Sequence, residues 1–210
     1  VRAYVYIYQN KSMTLIASVS GIRGTIGGKV KNNLTPIDVV AFAAAYGSWL
    51  SSTTNTACTV VVGRDARISG PMVQQLVQQT LIGLGIDVID VGLSTTPTVE
   101  MEVVRQNAQG GIILTASHNP KQWNALKLLN SKGEFISSDD GKALMQHLEK
   151  QSYDFASVDD LGTVSTVDDA LEAHIDAILT LDMVDIDAIR AAQFSVVVDG
   201  VNSSGGVAVP

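Results

Sequence analysis

Residues 110–129 read GGIILTASHNPKQWNALKLL, and this stretch carries the strongest information about the fold. Its first part, GGIILTAS, is a short apolar run typical of a buried strand, and ALKLLN predicts a further strand. Between them stands Thr-Ala-Ser-His-Asn-Pro, with Ser117 where the first strand should surface. Because ligands of α/β sheets collect at the carboxyl ends of strands, we expect Ser117 to lie at a functional edge.

Strand-like and helix-like segments alternate on both sides of this stretch. TVVVGRD (59–65) and IDVIDVG (86–92) are β-branched runs typical of strands in a covered sheet. Helices are predicted in the segments that begin TPIDVV, SGPMVQ, TTPTVE, SSDDGK and TVDDAL. This alternation predicts a three-layer α/β/α domain with a mostly parallel, mixed sheet.

Two details of the predicted helices concern particular side chains. The helix in SGPMVQQLVQQTLIGLG is amphipathic, with an apolar face around Val77 and four glutamines on the opposite face, at Gln74, Gln75, Gln78 and Gln79. In TTPTVEMEVVRQ, Thr96 is predicted to cap the helix and Pro97 to be its first residue.

Composition limits the classes of function. The chain has 210 residues, 46% of them apolar, which is enough for one packed domain or for one domain and part of another. A formal charge of −7 argues against a nucleic-acid partner, since phosphate backbones select clustered Lys and Arg. The longest apolar helix candidate, residues 36–50, contains Asp38 and is too short to span a bilayer, so no membrane partner is expected.

The chain contains one cysteine, Cys58, which cannot form an internal disulfide. It stands just before an apolar run, which predicts a small buried side chain. No Cys or His spacing suits a structural zinc site. We therefore expect a reducing compartment, the cytoplasm.

The two ends of the chain differ from its middle. Residues 1–12, VRAYVYIYQNKS, alternate like an edge strand, and because Met13 opens a more ordinary sequence we expect them to be an extension before the natural start. FSVVVDGVNSSGGVAVP, residues 194–210, predicts a strand, a glycine-rich turn and the first turn of a helix. We expect residues 13–185 to form one domain, and residues 186–210 to be a linker and the start of a truncated second domain.

The serine motif suits a phosphate better than it suits acyl transfer. Asn119 and Pro120 are predicted to cap and start a turn whose free amides surround the side chain of Ser117, an arrangement that stabilises an anion. Ser117 and His118 are neighbours, and in extended backbone their side chains would point to opposite faces, which is awkward for a general-base pair. The G-x-S-x-G elbow of many hydrolases is missing as well.

A phosphorylated Ser117 would need cations nearby, because a phosphoryl group adds close to two negative charges. Lys127 could return to the site from the next strand, and SGIRG offers Arg23 in a flexible, glycine-flanked loop. GRDARISG offers Arg64 and Arg67 at the end of another strand. Taken singly, Ser-His-Asn-Pro also fits a capped surface turn, and each arginine fits a solvated charge. GTIGG does not match a dinucleotide-binding G-x-G-x-x-G.

TASHNP followed by NALK, with SGIRG before it and GRDARISG between, resembles the first domain of the α-D-phosphohexomutase family. That family includes phosphoglucomutase, phosphomannomutase and phosphoglucosamine mutase. The resemblance covers about residues 15–200, and the serine motif is its most specific part. It implies the first of four domains around a deep cleft, in enzymes that move phosphate reversibly between positions 1 and 6 of a hexose.

The resemblance also implies roles for individual residues. Ser117 would be the phosphoserine, which gives its phosphoryl group to a phosphorylated hexose and recovers one from a hexose 1,6-bisphosphate intermediate. Magnesium would bind through that phosphate and neutralise its charge. Lys127 and Arg23 would flank the phosphoryl group, stabilising charge or moving protons. The other implied positions would shape the serine loop, bind phosphate or brace the domain through ion pairs: His118, Asn119, Arg64 and Arg67.

The sequence departs from the family pattern in two places. The family usually has Asn-Gly before an aromatic residue and the lysine, whereas this chain has Asn124-Ala125-Leu126-Lys127. Because alanine allows less backbone freedom than glycine, we expect the loop to follow a different path. The family's Asp-Gly-Asp-x-Asp-Arg metal loop does not occur, so the acidic ligands of magnesium are expected to be absent from this chain, and the chain alone is expected to be inactive.

Two other functions stay open at this stage. One is a non-catalytic sugar-phosphate-binding module with the same fold. The other is a serine hydrolase that uses Ser117 and a distant histidine. The choice among glucose, mannose and glucosamine phosphates, and the oligomeric state, are not encoded in the features above.

Overall fold

The structure is a computed structural model, and it describes residues 13–18, 21–54 and 56–210. The strand predicted in residues 1–12 lies outside the described residues. The strands are β1 (Ile16–Ser18), β2 (Gly21–Thr25), β3 (Thr59–Arg64), β4 (Asp87–Leu93), β5 (Gly110–Leu114), β6 (Trp123–Leu129) and β7 (Val164–Thr166). The helices are α1 (Pro36–Thr53), α2 (Gly70–Gly83), α3 (Thr96–Arg105), α4 (Ser138–Lys150), α5 (Ala170–Leu179), α6 (Ile186–Ala192) and α7 (Gly205–Ala208), with a 3₁₀ turn at Val158–Asp160.

The described strands form one mixed sheet in the order β1-β2-β6-β5-β3-β4-β7. Strands β5, β3, β4 and β7 are parallel, whereas β1, β2 and β6 continue the sheet with antiparallel pairings. The parallel strands follow from the helical crossovers between them, and β6 is antiparallel because only the short serine turn separates it from β5. The predicted α/β class with a mixed sheet is confirmed.

Residues 21–24, GIRG, belong to β2, so the prediction of a flexible loop for Arg23 is wrong. Its backbone pairs with β1 on one side and with β6 on the other, where Arg23 lies opposite Ala125. Gly21 has φ of +120°, and a Cβ there would overlap the carbonyl oxygen of Leu126. The glycine therefore serves close strand approach and not mobility.

Helices cover both faces of the sheet and bury a core on each. On one face α1 packs against α2 and α4. The core there includes Leu34, Tyr46, Val60, Ile112 and Leu126. On the other face α3 packs against α5, β3 and β5. The smaller core there includes Val61, Val99, Val103, Ile113 and Leu129.

Two details of the helices differ from the sequence prediction. Thr95, not Thr96, caps α3, with its hydroxyl accepting a hydrogen bond from the amide of Thr98.

On α2, Gln74 and Gln78 are only 7% and 8% exposed, although they belong to the predicted polar face. The Nε2 groups of both glutamines donate to the carboxylate of Asp90, on strand β4, at 2.7 and 2.9 Å. Their burial is possible because the sheet supplies a charged partner for the amide groups.

The strand predicted in FSVVVDG does not form in this chain. Residues 194–200 contain no strand, and Val197 is 98% exposed. A strand needs the hydrogen bonds of a neighbour, and this segment pairs with none of the described strands. The turn that follows and the short helix α7 are present as predicted.

The proposed domain boundaries, which assign residues 13–185 to one domain and 186–210 to a linker and the start of a second, stay predictions. Within the described ranges, no helix is both long and apolar enough to cross a membrane.

Candidate active site

Ser117 lies three residues beyond the carboxyl end of β5, in a turn that leads to β6. It is exposed, and its φ of +54° lies in the left-handed region, which is unfavourable for a residue other than glycine. The extended backbone assumed for Ser117 and His118 is therefore wrong. Ser117 Oγ and His118 Nδ1 are 3.5 Å apart, at the outer limit of a hydrogen bond. Among the described residues no carboxylate binds the ring of His118, so a Ser-His-Asp triad is not assembled.

The amides around Ser117 are partly used within the turn. The amide of Ser117 donates to Thr115 Oγ1 at 3.0 Å, and the amide of Asn119 donates to the carbonyl of Ala116 at 3.0 Å. Pro120 starts a turn, as predicted, in which the amide of Trp123, the first residue of β6, donates to the Pro120 carbonyl at 2.9 Å. The predicted ring of free amides is therefore incomplete, and an anion on Ser117 must rely on cationic side chains.

Arg23 and Lys127 supply those cations. Together with Ser117, His118 and Asn119 they line one cavity of about 260 Å³. Its remaining walls come from β1, β2, the serine loop, β6 and the segment that follows β6: Ser18, Gly21, Ile22, Thr115, Ala116, Ala125, Leu126 and Phe135. The structure thus brings together the serine, the arginine of SGIRG and the lysine of NALK, which are far apart in sequence.

The two cations have different surroundings. Arg23 is exposed, whereas Lys127 is half-buried, with its ammonium 5.8 Å from the ring centroid of Phe135. The same ammonium acts electrostatically on the carboxyl group of Glu100 on α3. Burial raises the pKa of the Glu100 carboxyl above its ordinary value, and the charge of Lys127 partly offsets that rise. Lys127 therefore packs near an aromatic ring and is close enough to Glu100 to act on its carboxyl group.

Arg67 binds the serine loop. Its Nε donates to Asp65 Oδ2 at 3.1 Å, and its Nη atoms donate to four carbonyl oxygens at 2.7 to 3.0 Å. Those carbonyls belong to Ser117, Asn119, Pro120 and Trp123. A guanidinium has five N–H donors, so all of them are occupied. The geometry therefore favours bracing over phosphate binding for Arg67.

Arg64 points away from the cavity and toward α2. Its Nε donates to Gln74 Oε1 at 2.8 Å, and its Nη1 donates to the carbonyl of Asp65 at 3.1 Å. Through Gln74 it joins the polar network around Asp90. Its position, like that of Arg67, favours a bracing role.

Asp65 and Thr115 are the residues that sequence reasoning missed. Thr115 donates its hydroxyl hydrogen to Asp65 Oδ2 at 2.6 Å, and Asp65 Oδ1 accepts from the amide of Arg67 at 3.0 Å. The second contact is an Asx turn, which the Asp-x-Arg spacing of GRDARISG could have indicated. The contact with Thr115 spans 50 positions and has no local signal.

Ala125 does not alter a loop, because no loop exists at this point. Asn124 and Ala125 are buried residues of β6, and Ala125 has no left-handed φ. Asn124 donates to Ser69 Oγ at 2.9 Å and so ties β6 to the start of α2. The expectation of a different loop path is therefore wrong, since a strand position accepts alanine without strain.

The described residues offer few ligands for magnesium. Across residues 13–18, 21–54 and 56–210, no group of three or more His, Cys, Asp or Glu side chains could hold a metal ion. Asp65, which lies between the two arginines of GRDARISG, already binds Thr115 and Arg67. The described residues fit magnesium only through a phosphate on Ser117, because Mg²⁺ prefers several oxygen ligands and accepts phosphate among them.

Comparison with known proteins identifies the family of this chain. Residues 15–154 match the sequence model of the family described as "Phosphoglucomutase/phosphomannomutase, alpha/beta/alpha domain I". The chain is 32% identical over 189 residues to the phosphoglucomutase/phosphomannomutase of Thermococcus kodakarensis, covering 89% of this chain and 41% of that protein. It is 34% identical over 188 residues to the phosphoglucosamine mutase of Methanococcus aeolicus, covering 89% and 38%.

Solved structures agree on the fold. The putative phosphomannomutase of Thermus thermophilus matches with a TM-score of 0.70 and 27% identity, over 85% of this chain and 38% of that one. The chain thus spans about two-fifths of the length of the relatives that it matches. From the match over residues 15–154 and the shared α/β/α architecture, we conclude that the chain belongs to the phosphoglucomutase/phosphomannomutase family and contains its domain I.

Proposed function

We propose that this chain is the phosphoserine domain of a phosphohexomutase, which interconverts hexose 1-phosphate and hexose 6-phosphate. The observation that carries the proposal is the shared cavity, in which an exposed Ser117 stands with Arg23 and Lys127. The names of the relatives support it, since they are a phosphoglucomutase/phosphomannomutase and a phosphoglucosamine mutase.

The proposed reaction is two phosphoryl transfers in opposite directions. In the first, the bond between phosphorus and Ser117 Oγ breaks as a free hydroxyl of the hexose monophosphate bonds to phosphorus. The hexose hydroxyl loses its proton, Ser117 Oγ gains one, and a hexose 1,6-bisphosphate results. In the second, Ser117 Oγ takes the phosphoryl group from the other position of the sugar. The hexose leaves with its phosphate moved, and the serine is phosphorylated again.

The electrostatics of the chain fit this chemistry. The formal charge is −7, so a phosphoryl group on Ser117 depends on local cations. Arg23 and Lys127 lie on the cavity wall that faces the serine loop, where they can stabilise charge on the phosphoryl oxygens. Magnesium, when bound through the phosphate of Ser117, would neutralise part of the same charge.

The test uses the protein expressed with the sequence that flanks this chain in its gene. We expect hexose 1,6-bisphosphate labelled in its phosphates to transfer label to Ser117, located by peptide mass spectrometry. Ser117→Ala should take up no label and lose mutase activity. Ser131→Ala, an exposed serine in the turn after β6, is the matched control and should keep both. An active Ser117→Ala protein, or label on another residue, would contradict the proposal.

Two further measurements, of hexose-phosphate binding and of labelling by a fluorophosphonate probe, separate the alternatives. Tight binding of hexose phosphates with neither labelling nor turnover would favour a non-catalytic sugar-phosphate-binding module. Reaction of Ser117 with a fluorophosphonate probe would favour a serine hydrolase.

A further inference from the structure

Both backbone polar groups of Ser117 are held by side chains of one connected network. Its amide donates to Thr115 Oγ1 at 3.0 Å, and its carbonyl accepts from Arg67 Nη2 at 2.7 Å. Thr115 and Arg67 in turn meet at Asp65 Oδ2, at 2.6 and 3.1 Å. Asp65 therefore anchors the contacts on both sides of the serine.

These contacts act on a backbone conformation that a serine does not prefer. With φ at +54°, Ser117 lies in the left-handed region, where its Cβ crowds the following carbonyl. Without its two hydrogen bonds the residue would relax to a commoner conformation. Because Cβ and Oγ turn with the backbone, that relaxation would move the hydroxyl relative to the cavity.

Arg67 also connects the serine to the strand that carries Lys127. Besides Ser117 and Asn119, it binds the carbonyls of Pro120 and Trp123, and Trp123 is the first residue of β6. The side chain of Arg67 is 10% exposed and that of Asp65 is 14% exposed, so the ion pair between them is largely shielded from water. A planar guanidinium fixes the directions of its five donors, which makes the serine loop and the start of β6 one rigid unit.

We propose that Asp65, Arg67 and Thr115 are positioning residues for phosphoryl transfer, which hold Ser117 in its left-handed conformation with Oγ at the cavity that contains Arg23 and Lys127. The inference rests on the proposed function of Ser117 as the phosphoryl carrier. None of the three residues needs to touch the sugar. They act by presenting the nucleophilic oxygen at a set distance from the cations.

The hydroxyl of Thr115 provides the sharpest test, because it accepts from Ser117 and donates to Asp65 at once. Thr115→Val keeps the shape of the side chain and removes both contacts, whereas Thr115→Ser keeps the hydroxyl. In the protein expressed with its flanking sequence, we expect Thr115→Val to lower kcat for hexose 1-phosphate about 100-fold, as a displacement of about 1 Å can do. KM should change little, and Thr115→Ser should restore most of kcat.

Arg67→Lys is the second variant, since a single ammonium cannot bind four carbonyls and a carboxylate together. We expect kcat to fall as in Thr115→Val, again with little change in KM. Arg105→Lys is the matched control. It disturbs another arginine, which binds Glu102 and Asp169 on the α3 side, away from the serine loop. It should lower the melting temperature and leave kcat per folded molecule unchanged.

All rates are measured below the melting temperature of the least stable variant and divided by the folded fraction. Should Arg67→Lys or Thr115→Val not fold, Asp65→Asn replaces it, with the same loss of kcat expected. A kcat per folded molecule equal to that of the unaltered protein in Thr115→Val would overturn the inference, as would a Thr115→Ser protein as slow as Thr115→Val. If Ser117→Ala is inactive in the same series, only the positioning role has failed. If Ser117→Ala is active, the proposed function has failed.

Discussion

Arg23 and Lys127 project from the same face of two neighbouring antiparallel strands. Arg23 on β2 pairs with Ala125 on β6, and Lys127 follows Ala125 by two residues on that strand. Such diagonal positions lie about 7–8 Å apart, within reach of two long side chains. Lys127 also lies opposite Ile113 on β5, the strand that leads to Ser117. The register of β2, β6 and β5 therefore assembles the cavity.

The first prediction concerns the charge of Lys127. Lys127→Met keeps the length of the side chain and removes its ammonium. In the protein expressed with its flanking sequence, we expect the phosphoryl transfer from Ser117 to a hexose phosphate to slow by about 10²- to 10³-fold, as when one preorganised electrostatic partner is lost. Single-turnover kinetics with the phosphorylated protein measure this rate. Lys132→Met, in the exposed turn after β6, removes the same charge and should transfer at the normal rate. Equal rates for both variants would exclude Lys127 from the chemistry.

The second prediction concerns the buried glutamines of α2. Gln74→Ala removes the amide that joins Arg64 to Asp90, so both charged side chains lose one of their hydrogen bonds. We expect the free energy of unfolding to fall by about 2 kcal/mol, measured by urea denaturation. Gln75→Ala makes the same change at the next, exposed position and should cost within about 0.5 kcal/mol. Similar losses from both would show that helix propensity, and not the network, determines the effect.

The third prediction compares two tyrosines. The hydroxyl of Tyr46 is fully buried and donates to the carbonyls of Leu129 and Gly111, at 2.7 and 3.2 Å. Tyr46→Phe should lower the free energy of unfolding by about 1–2 kcal/mol, because the carbonyls lose a donor that water cannot replace. Tyr153 Oη is buried and has no hydrogen-bond partner among the described residues. Tyr153→Phe should therefore leave the stability unchanged or raise it. The reverse order in urea denaturation would contradict both assignments.

The fourth prediction concerns the thiol of Cys58. It is 6% exposed, and burial raises its pKa from 9.0 to about 11. Because only the thiolate reacts with a disulfide reagent, a pKa higher by about two units lowers its reactivity at pH 7 by about 100-fold, before burial slows access further. We expect Ellman's reagent to label the native protein very slowly and the urea-unfolded protein quickly. Because the chain contains one cysteine, the absorbance released by Ellman's reagent reports on Cys58 alone. Rapid labelling without urea would show that β3 is not packed as described.

Part of the site could be read from local patterns. The apolar run before Thr-Ala-Ser-His-Asn-Pro predicted Ser117 at the end of a strand, and the structure has it three residues beyond the end of β5. The glycines of SGIRG predicted mobility for Arg23, whereas the structure uses Gly21 for close strand packing. Gln74 and Gln78 follow the helical period of a polar face, yet they are buried because their amides donate hydrogen bonds to Asp90 on strand β4. A local pattern reports the polarity of a side chain and says nothing of a distant partner.

The sequence by itself determined the alternation of strands and helices, the position of the serine turn and the membership of the family, because these depend on residue periodicity and on short motifs. Only the tertiary structure decided which cations share a cavity with Ser117 and what Arg67 does. Arg67 binds the carbonyl of Ser117 from 50 positions away, and this contact exists because the sheet order places the end of β3 beside the end of β5. Which chain segments lie side by side is a property of the whole packed sheet, where each strand finds its neighbours through burial of the core and pairing of its backbone.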